Sequence, residues 1–121
     1  MPILQKLINA YKLWQDFVPH FPKKSRYTLG GKIDALFLEA AESVYTAGYM
    51  SKEEKSVYIQ KAIGKFDLLK FFLQIAWETK ALDNARYEAL SEPLNELGRM
   101  LGGWSKQAQT TKTKLPPRAE E

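Results

Sequence analysis

The sequence predicts an all-α protein, an antiparallel up-and-down four-helix bundle, and three observations support this prediction. Apolar residues recur three and four positions apart along most of the chain, and no alternating strand pattern competes with them. Proline, glycine or a capping box stands near the predicted breaks between helices. With 121 residues, 45% of them hydrophobic and 26% charged, the chain has the size and composition of one globular domain.

The periodicity and its breaks define four helices. Pro19 and Pro22 end the first helix, and Gly48 is expected to end the second. The stretch "SKEE" from Ser51 matches a capping box, which predicts the start of the third. The predicted helices cover residues 3–18, 26–47, 52–80 and 85–105.

The composition changes after the fourth predicted helix. The segment "QAQTTKTKLPPRAEE" is polar, rich in threonine and interrupted by two prolines. It cannot bury enough apolar surface to offset the entropy lost on ordering. We therefore predict a four-helix-bundle domain over residues 1–106 and a disordered basic and polar tail over residues 107–121.

The third predicted helix is apolar on two opposite faces. One face includes Phe66 and Trp77 and belongs to the core of the protomer. The opposite face must be covered as well, either by a neighbouring helix of the same chain or by another copy. We favour a homo-oligomer built on this second face, which consists of Val57, Gly64, Leu68, Phe71 and Ile75.

The sequence gives little support for catalysis. His20 is the only histidine and lies between two prolines in a predicted loop, and there is no cysteine. The Glu-x-x-His pairs of di-iron bundles are missing, and the Gly30–Gly31 pair follows no strand. We predict no catalytic residue, no metal and no cofactor.

The chain is expected to be cytoplasmic. The most apolar window, "LLKFFLQIAW", contains a lysine and a glutamine and is shorter than the roughly 20 residues of a membrane span. The start of the chain has no signal-peptide pattern, and the absence of cysteine suits a reducing compartment.

Basic side chains are the candidates for a binding site. The formal net charge is +4, and lysines can contact phosphates and release counterions without any sequence preference. The commoner role of each lysine alone is to solubilise the surface, and no base-reading motif is present. The candidate nucleic-acid-binding residues are Lys23, Lys24, Arg26, Lys32, Lys61, Lys65, Lys70, Lys80, Arg99 and Lys106.

Two motifs are similar to those of a known family. "FPKKSRYTLGGKID" at Phe21–Asp34 and "LNELGRMLGGW" at Leu94–Trp104 together resemble the accessory variability determinant (Avd) of diversity-generating retroelements. That group belongs to a wider four-helix-bundle family, which includes proteins encoded by ribosomal RNA intervening sequences. The resemblance covers roughly residues 3–106.

The resemblance implies a non-enzymatic accessory protein. It implies a ring-like homopentamer of four-helix bundles that binds RNA or DNA. It also implies association with the reverse transcriptase of the element, in support of mutagenic reverse transcription and retrohoming. The alternative is a structural four-helix-bundle oligomer of the intervening-sequence type, which binds no nucleic acid.

The second motif places glycine at 98, 102 and 103 of a predicted helix, where each costs about 0.5–1 kcal/mol relative to alanine. On one interpretation, Gly102 and Gly103 begin the C-terminal termination of the helix. Alternatively, Gly98 and Gly102 lie one turn apart and form a smooth strip that another helix can approach closely. The apolar seam continues through the glycines to Trp104, which favours the second interpretation.

Overall fold

The computed structural model describes residues 2–114, and within them the side chains of residues 2–109. The described part of the chain is helical and contains no strand, which confirms the predicted all-α class. In chain order its elements are α1 (Pro2–Phe17), a 3₁₀ turn (Val18–His20), α2 (Lys23–Arg26), α3 (Leu29–Tyr49), α4 (Lys52–Glu78) and α5 (Asn84–Lys114).

The four long helices pack around one core. Helix α1 lies beside α3 and α5, and α4 also lies beside both. Lys32 in the first turns of α3 approaches Phe72 near the end of α4, whereas Glu39 further along α3 pairs with Lys65. These neighbouring helices are therefore antiparallel. The largest fully buried side chains are Trp14, Phe21, Phe37 and Phe66.

The second predicted helix differs from the structure at both ends. Residues 23–26 form the separate short helix α2, and α3 begins only at Leu29. At the other end Gly48 lies inside α3, so the expected helix end at this glycine is wrong. The helix continues to Tyr49, whose ring packs on that of Tyr45 one turn earlier, with 4.9 Å between ring centroids.

The third predicted helix differs in its cap and in its last residues. Ser51 precedes α4 as predicted, but its side chain makes no capping hydrogen bond; its carbonyl accepts the backbone N–H groups of Glu54 and Lys55. The helix ends at Glu78 rather than Lys80 because Lys80 has a left-handed backbone (φ 68°). That conformation is common just beyond a helix end, although glycine is the usual occupant.

The helix end predicted near Ser105 is wrong, because α5 continues to Lys114. No proline follows Ser105 before residue 116, so nothing in the backbone forces the helix to stop earlier. Residues 107–114 of the predicted tail are thus helical, whereas residues 115–121 lie outside the described residues. The division into a bundle and a tail stays a prediction.

Within the protomer, the glycines of α5 neither end the helix nor allow another helix an unusually close approach. The helix passes through Gly102 and Gly103 without ending. A Cβ at Gly102 would have no neighbour within 4 Å, and one at Gly98 would lie at an ordinary 3.8 Å from the Lys70 Nζ atom. Helix α4 contacts the strip at Gly98 through Lys70 and also through Phe66, whose ring carbon would lie 3.9 Å from that Cβ. Because these are ordinary contact distances, the packing of α4 does not require glycine there.

Candidate nucleic-acid and assembly surfaces

Helix α2 carries three of the candidate basic residues to one end of the bundle, where α1 ends and α3 begins. Pro22 precedes the helix, and its carbonyl accepts the backbone N–H of Ser25. Lys23 and Lys24 are exposed, and neither forms an ion pair with any side chain of residues 2–109. Their ammonium groups are therefore available to a phosphate.

Arg26 holds this connection together. Its Nη2 atom donates to the carbonyl oxygens of Pro19 and Phe21, each at 3.0 Å. Phe21 is buried and meets the ring of Trp14 edge-on, with 5.4 Å between centroids. The guanidinium thus ties a proline-rich segment to the core, and this bonding competes with the phosphate contact predicted for Arg26.

Asp34 connects the end of the first motif to the core of the bundle. Its Oδ1 atom accepts hydrogen bonds from the Tyr11 hydroxyl at 2.9 Å and from the Trp14 indole nitrogen at 3.1 Å. Burial and then the hydrogen bond and charge of Asp34 raise the pKa of Tyr11. Sequence reasoning missed this cluster, because the two donors lie on another helix, 20 and 23 residues before Asp34 in the chain.

Lys32 and Lys80 lie toward the same end of the bundle as α2. Lys32 is exposed near the start of α3, and its Nζ atom is 5.8 Å from the centroid of the Phe72 ring. Lys80 is exposed in the connection between α4 and α5. Four of the predicted lysines are therefore grouped at this end, which we call the α2 end: Lys23, Lys24, Lys32 and Lys80.

An aromatic pair lies at the α2 end as well. The rings of Trp77 and Tyr87 are stacked almost in parallel, 8° apart with centroids at 4.9 Å. The indole nitrogen of Trp77 donates to the Asn84 side chain at 2.6 Å. Trp77, which the sequence predicts in the core, is 38% exposed because α4 ends one residue later.

The remaining candidate basic residues are dispersed along the bundle. Lys65 pairs with Glu39 at 3.0 Å, and Lys61 places its Nζ atom 5.1 Å from the Tyr58 ring centroid. Lys70 is half-buried and lines the groove between α4 and α5. Arg99 and Lys106 are exposed further along α5. The structure does not bring these five residues into one patch.

The second apolar face of α4 is open in the protomer. Val57 is 56% exposed, Leu68 44% and Phe71 53%. Gly64 is exposed too, and Ile75 is half-buried. Among residues 2–109, no neighbouring helix covers this face. The alternative that a helix of the same chain buries it is therefore wrong for this part of the chain. Exposed apolar stripes of this kind are common at protein interaction sites.

The potential metal ligands are dispersed over the described residues. His20 is exposed at the end of the 3₁₀ turn. Within the described part of the chain, no three histidine, aspartate or glutamate side chains are placed to hold a metal ion together. Nor does any described helix combine the length and the hydropathy that crossing a membrane requires.

Comparison with known proteins identifies the family. No curated protein matches the chain in sequence. A family model described as bAvd-like matches residues 1–108, which include both motifs and all four long helices up to the last turns of α5. Avd-type proteins are accessory and non-catalytic. The match covers most of the chain, and the protein therefore belongs to the bAvd-like family.

Proposed function

We propose that this protein is the non-enzymatic accessory protein of a diversity-generating retroelement. It binds RNA or DNA through basic surfaces and associates with the reverse transcriptase of the element. In this way it supports mutagenic reverse transcription. Family membership supports this role as a whole. The observation that supports nucleic-acid binding is the group of exposed lysines at the α2 end, where Lys23 and Lys24 have no acidic partner among the described side chains.

The α2 end has the chemistry that single-stranded nucleic acid needs. Lysines neutralise backbone phosphates, and exposed aromatic rings stack on bases without requiring a particular sequence. Lys80 lies just beyond the end of α4, three residues after the exposed Trp77, so a charge and a ring lie close together in the chain. This combination favours binding without base-specific recognition.

Self-assembly is the second part of the proposal. We propose a ring-like homopentamer in which the open face of α4 is buried. The support for burial is physical: leaving Leu68, Phe71 and Val57 in water forfeits about 25 cal/mol for each Å² of apolar surface that another subunit could cover. Assembly also repeats the α2 end in every subunit, so that weak phosphate contacts add along one nucleic acid.

Salt-dependent binding tests the nucleic-acid part. Fluorescence anisotropy with labelled single-stranded RNA and DNA should show affinity that falls steeply between about 50 mM and 200 mM salt. The double substitution Lys23→Glu and Lys24→Glu should weaken binding and flatten the salt dependence, because each lost phosphate contact removes about 0.7 from the logarithmic slope.

A matched control separates a local contact from the effect of net charge. Lys12→Glu with Lys52→Glu reverses two other exposed lysines, one on α1 and one at the start of α4. It changes the net charge equally and should weaken binding much less. Equal weakening by both pairs would place the contacts elsewhere. Absence of binding even at low salt would favour the alternative, a structural oligomer of the intervening-sequence type.

Association with a reverse transcriptase has its own test. A reverse transcriptase gene and adjacent imperfect repeats are expected in the genomic neighbourhood. The enzyme encoded there should co-purify with the tagged accessory protein after co-expression. Co-purification that fails under conditions where both proteins are folded would contradict the proposed partnership.

A further inference from the structure

Helix α3 carries an exposed stripe that repeats the spacing of the open face of α4. Its members follow one another by steps of four, three, four, three and four residues, which is the seven-residue repeat of helices that pack side by side. Leu38 is 51% exposed, Tyr45 55% and Tyr49 74%. The α3 stripe consists of Gly31, Ala35, Leu38, Glu42, Tyr45 and Tyr49, all exposed.

The open face of α4 has the same repeat once Lys61 is included. Lys61 is exposed and falls between Val57 and Gly64, so the steps are again four and three in alternation. The α4 stripe therefore consists of Val57, Lys61, Gly64, Leu68, Phe71 and Ile75. Each stripe contains one charged residue, an acid on α3 and a base on α4.

An antiparallel alignment of the two stripes matches both volume and charge. Gly31 and Ala35 then face Ile75 and Phe71, so that the smallest side chains meet the largest. Leu38 faces Leu68. Glu42 faces Gly64, which leaves room for its carboxylate beside Lys61 on the next turn of α4, and Tyr45 faces Lys61 itself.

Other alignments leave a charge unmatched. In a parallel alignment Glu42 faces Leu68, and Lys61 faces Ala35. If α4 pairs with a second α4, Lys61 faces Phe71 and no acid is in the stripe. If α3 pairs with a second α3, Glu42 faces Leu38 without a base. Neither Glu42 nor Lys61 has an ion-pair partner within the described protomer, so burial requires one from outside.

We propose that the α3 stripe of one copy docks antiparallel against the α4 stripe of the next copy, with Glu42 and Lys61 as the charge pair that sets the register. This inference rests on the proposed self-assembly and deepens it. The contact joins the α3 stripe of one copy to a different surface, the α4 stripe, of the next copy. Such a contact generates rings or filaments rather than two-fold dimers. Because α3 and α4 are antiparallel within a copy, copies arranged around an axis along the helices present them antiparallel to each other.

Mixing two blocked variants tests this pairing. The α3-blocked variant carries Leu38→Glu and Tyr45→Glu, and the α4-blocked variant carries Leu68→Glu and Phe71→Glu. Each alone should be monomeric by size-exclusion chromatography with light scattering. Their mixture should give a one-to-one heterodimer of twice the monomer mass, because the intact α3 stripe of one meets the intact α4 stripe of the other.

Three other outcomes are decisive. An α3-blocked variant that still assembles would overturn the docking on α3 while leaving self-assembly intact. Two monomeric variants that stay monomeric when mixed, with helical circular dichroism unchanged, would overturn the pairing as well. A monomeric unmodified protein would overturn the proposed self-assembly itself. As a matched control, Ile8→Glu changes an exposed apolar residue of α1 outside both stripes and should leave assembly unchanged.

Charge reversal tests the register. Glu42→Lys and Lys61→Glu should each weaken assembly by about tenfold in dissociation constant, since each places like charges together in the contact. The combination of both substitutions should restore assembly, because it recreates the pair in reverse. A combination that assembles no better than the weaker single variant would overturn the proposed register.

Discussion

The hydrogen bonds at Asp34 offer the sharpest prediction about stability. One carboxylate oxygen accepts from the Tyr11 hydroxyl of α1 and from the indole nitrogen of Trp14, which is 0% exposed. We expect Asp34→Ala to destabilise the fold far more than the loss of a surface carboxylate, because it removes the only acceptor that the structure gives to a fully buried indole.

The magnitude follows from what each donor loses. A buried donor without a partner costs about 1–3 kcal/mol, and this applies in full to Trp14. The Tyr11 hydroxyl is only half-buried and can turn toward water, so its loss is nearer to 1 kcal/mol. The sum is about 2–4 kcal/mol, or a fall of roughly 10 °C in Tm for a domain of this size. Asp34→Asn keeps an acceptor oxygen and should cost less than half as much.

Urea unfolding followed by circular dichroism measures these differences. The substitutions should be compared in the Leu68→Glu, Phe71→Glu background, where the proposed assembly does not add to the apparent stability. Glu92→Ala changes an exposed carboxylate of α5 and serves as the control, with an expected change within about 0.5 kcal/mol. A double-mutant cycle of Tyr11→Phe with Asp34→Ala, which removes the acceptor, should give a coupling of about 1 kcal/mol.

An Asp34→Ala protein whose free energy of unfolding lies within about 0.5 kcal/mol of that of the control would contradict this prediction, because surface substitutions alone cause changes of that size. Such a result would mean that water or a shifted side chain satisfies Trp14 at no cost. An unchanged stability in Asp34→Asn alone would not contradict the argument, since the amide oxygen can still accept both bonds.

Two further predictions concern Tyr11 and Gly102. Because burial and Asp34 raise the pKa of Tyr11, folding disfavours its ionised form; the stability linked to Tyr11 is present below about pH 10 and is lost as pH rises through the folded pKa. Ultraviolet titration should show Tyr11 ionising at lower pH in Asp34→Asn, with Tyr11→Phe identifying the signal, and identical titrations would argue against the Asp34 contribution. Gly102→Ala should raise the free energy of unfolding by about 0.5–1 kcal/mol, because a Cβ there meets nothing within 4 Å. A loss of stability in thermal unfolding would show that this position is crowded after all.

The helices and their inward faces could be predicted from the sequence because apolar spacing records burial directly. Leu90, Leu94, Leu97 and Leu101 follow one another by steps of three and four, and all four are buried in the structure. Helix ends could not be predicted equally well, because they depend on local backbone choices. Lys80 adopts a left-handed backbone conformation that lysine seldom takes, and the neighbouring residues in the sequence do not predict it.

The role of the first motif also could not be predicted, although its resemblance to the family could be stated. The basic residues of the motif suggest phosphate binding. In the structure, however, Arg26 donates hydrogen bonds to two backbone carbonyl groups of the connection that precedes α2. Asp34 satisfies donors that lie 20 and 23 residues earlier in the chain. Such pairs across helices leave no periodic trace in one sequence. Arg26 and Asp34 of the motif therefore stabilise the fold, and the exposed lysines that the motif presents are Lys23, Lys24 and Lys32.

The surroundings of Lys61 change the role expected for this residue. Its charge alone places it with the phosphate-binding candidates, but its position in the α4 stripe lies between two members of an open apolar face. A side chain there is covered when the face is covered, and a covered lysine requires an acid rather than a solvated phosphate. Glu42 supplies that acid in the proposed register. Lys61 is therefore expected to act in assembly rather than in nucleic-acid binding.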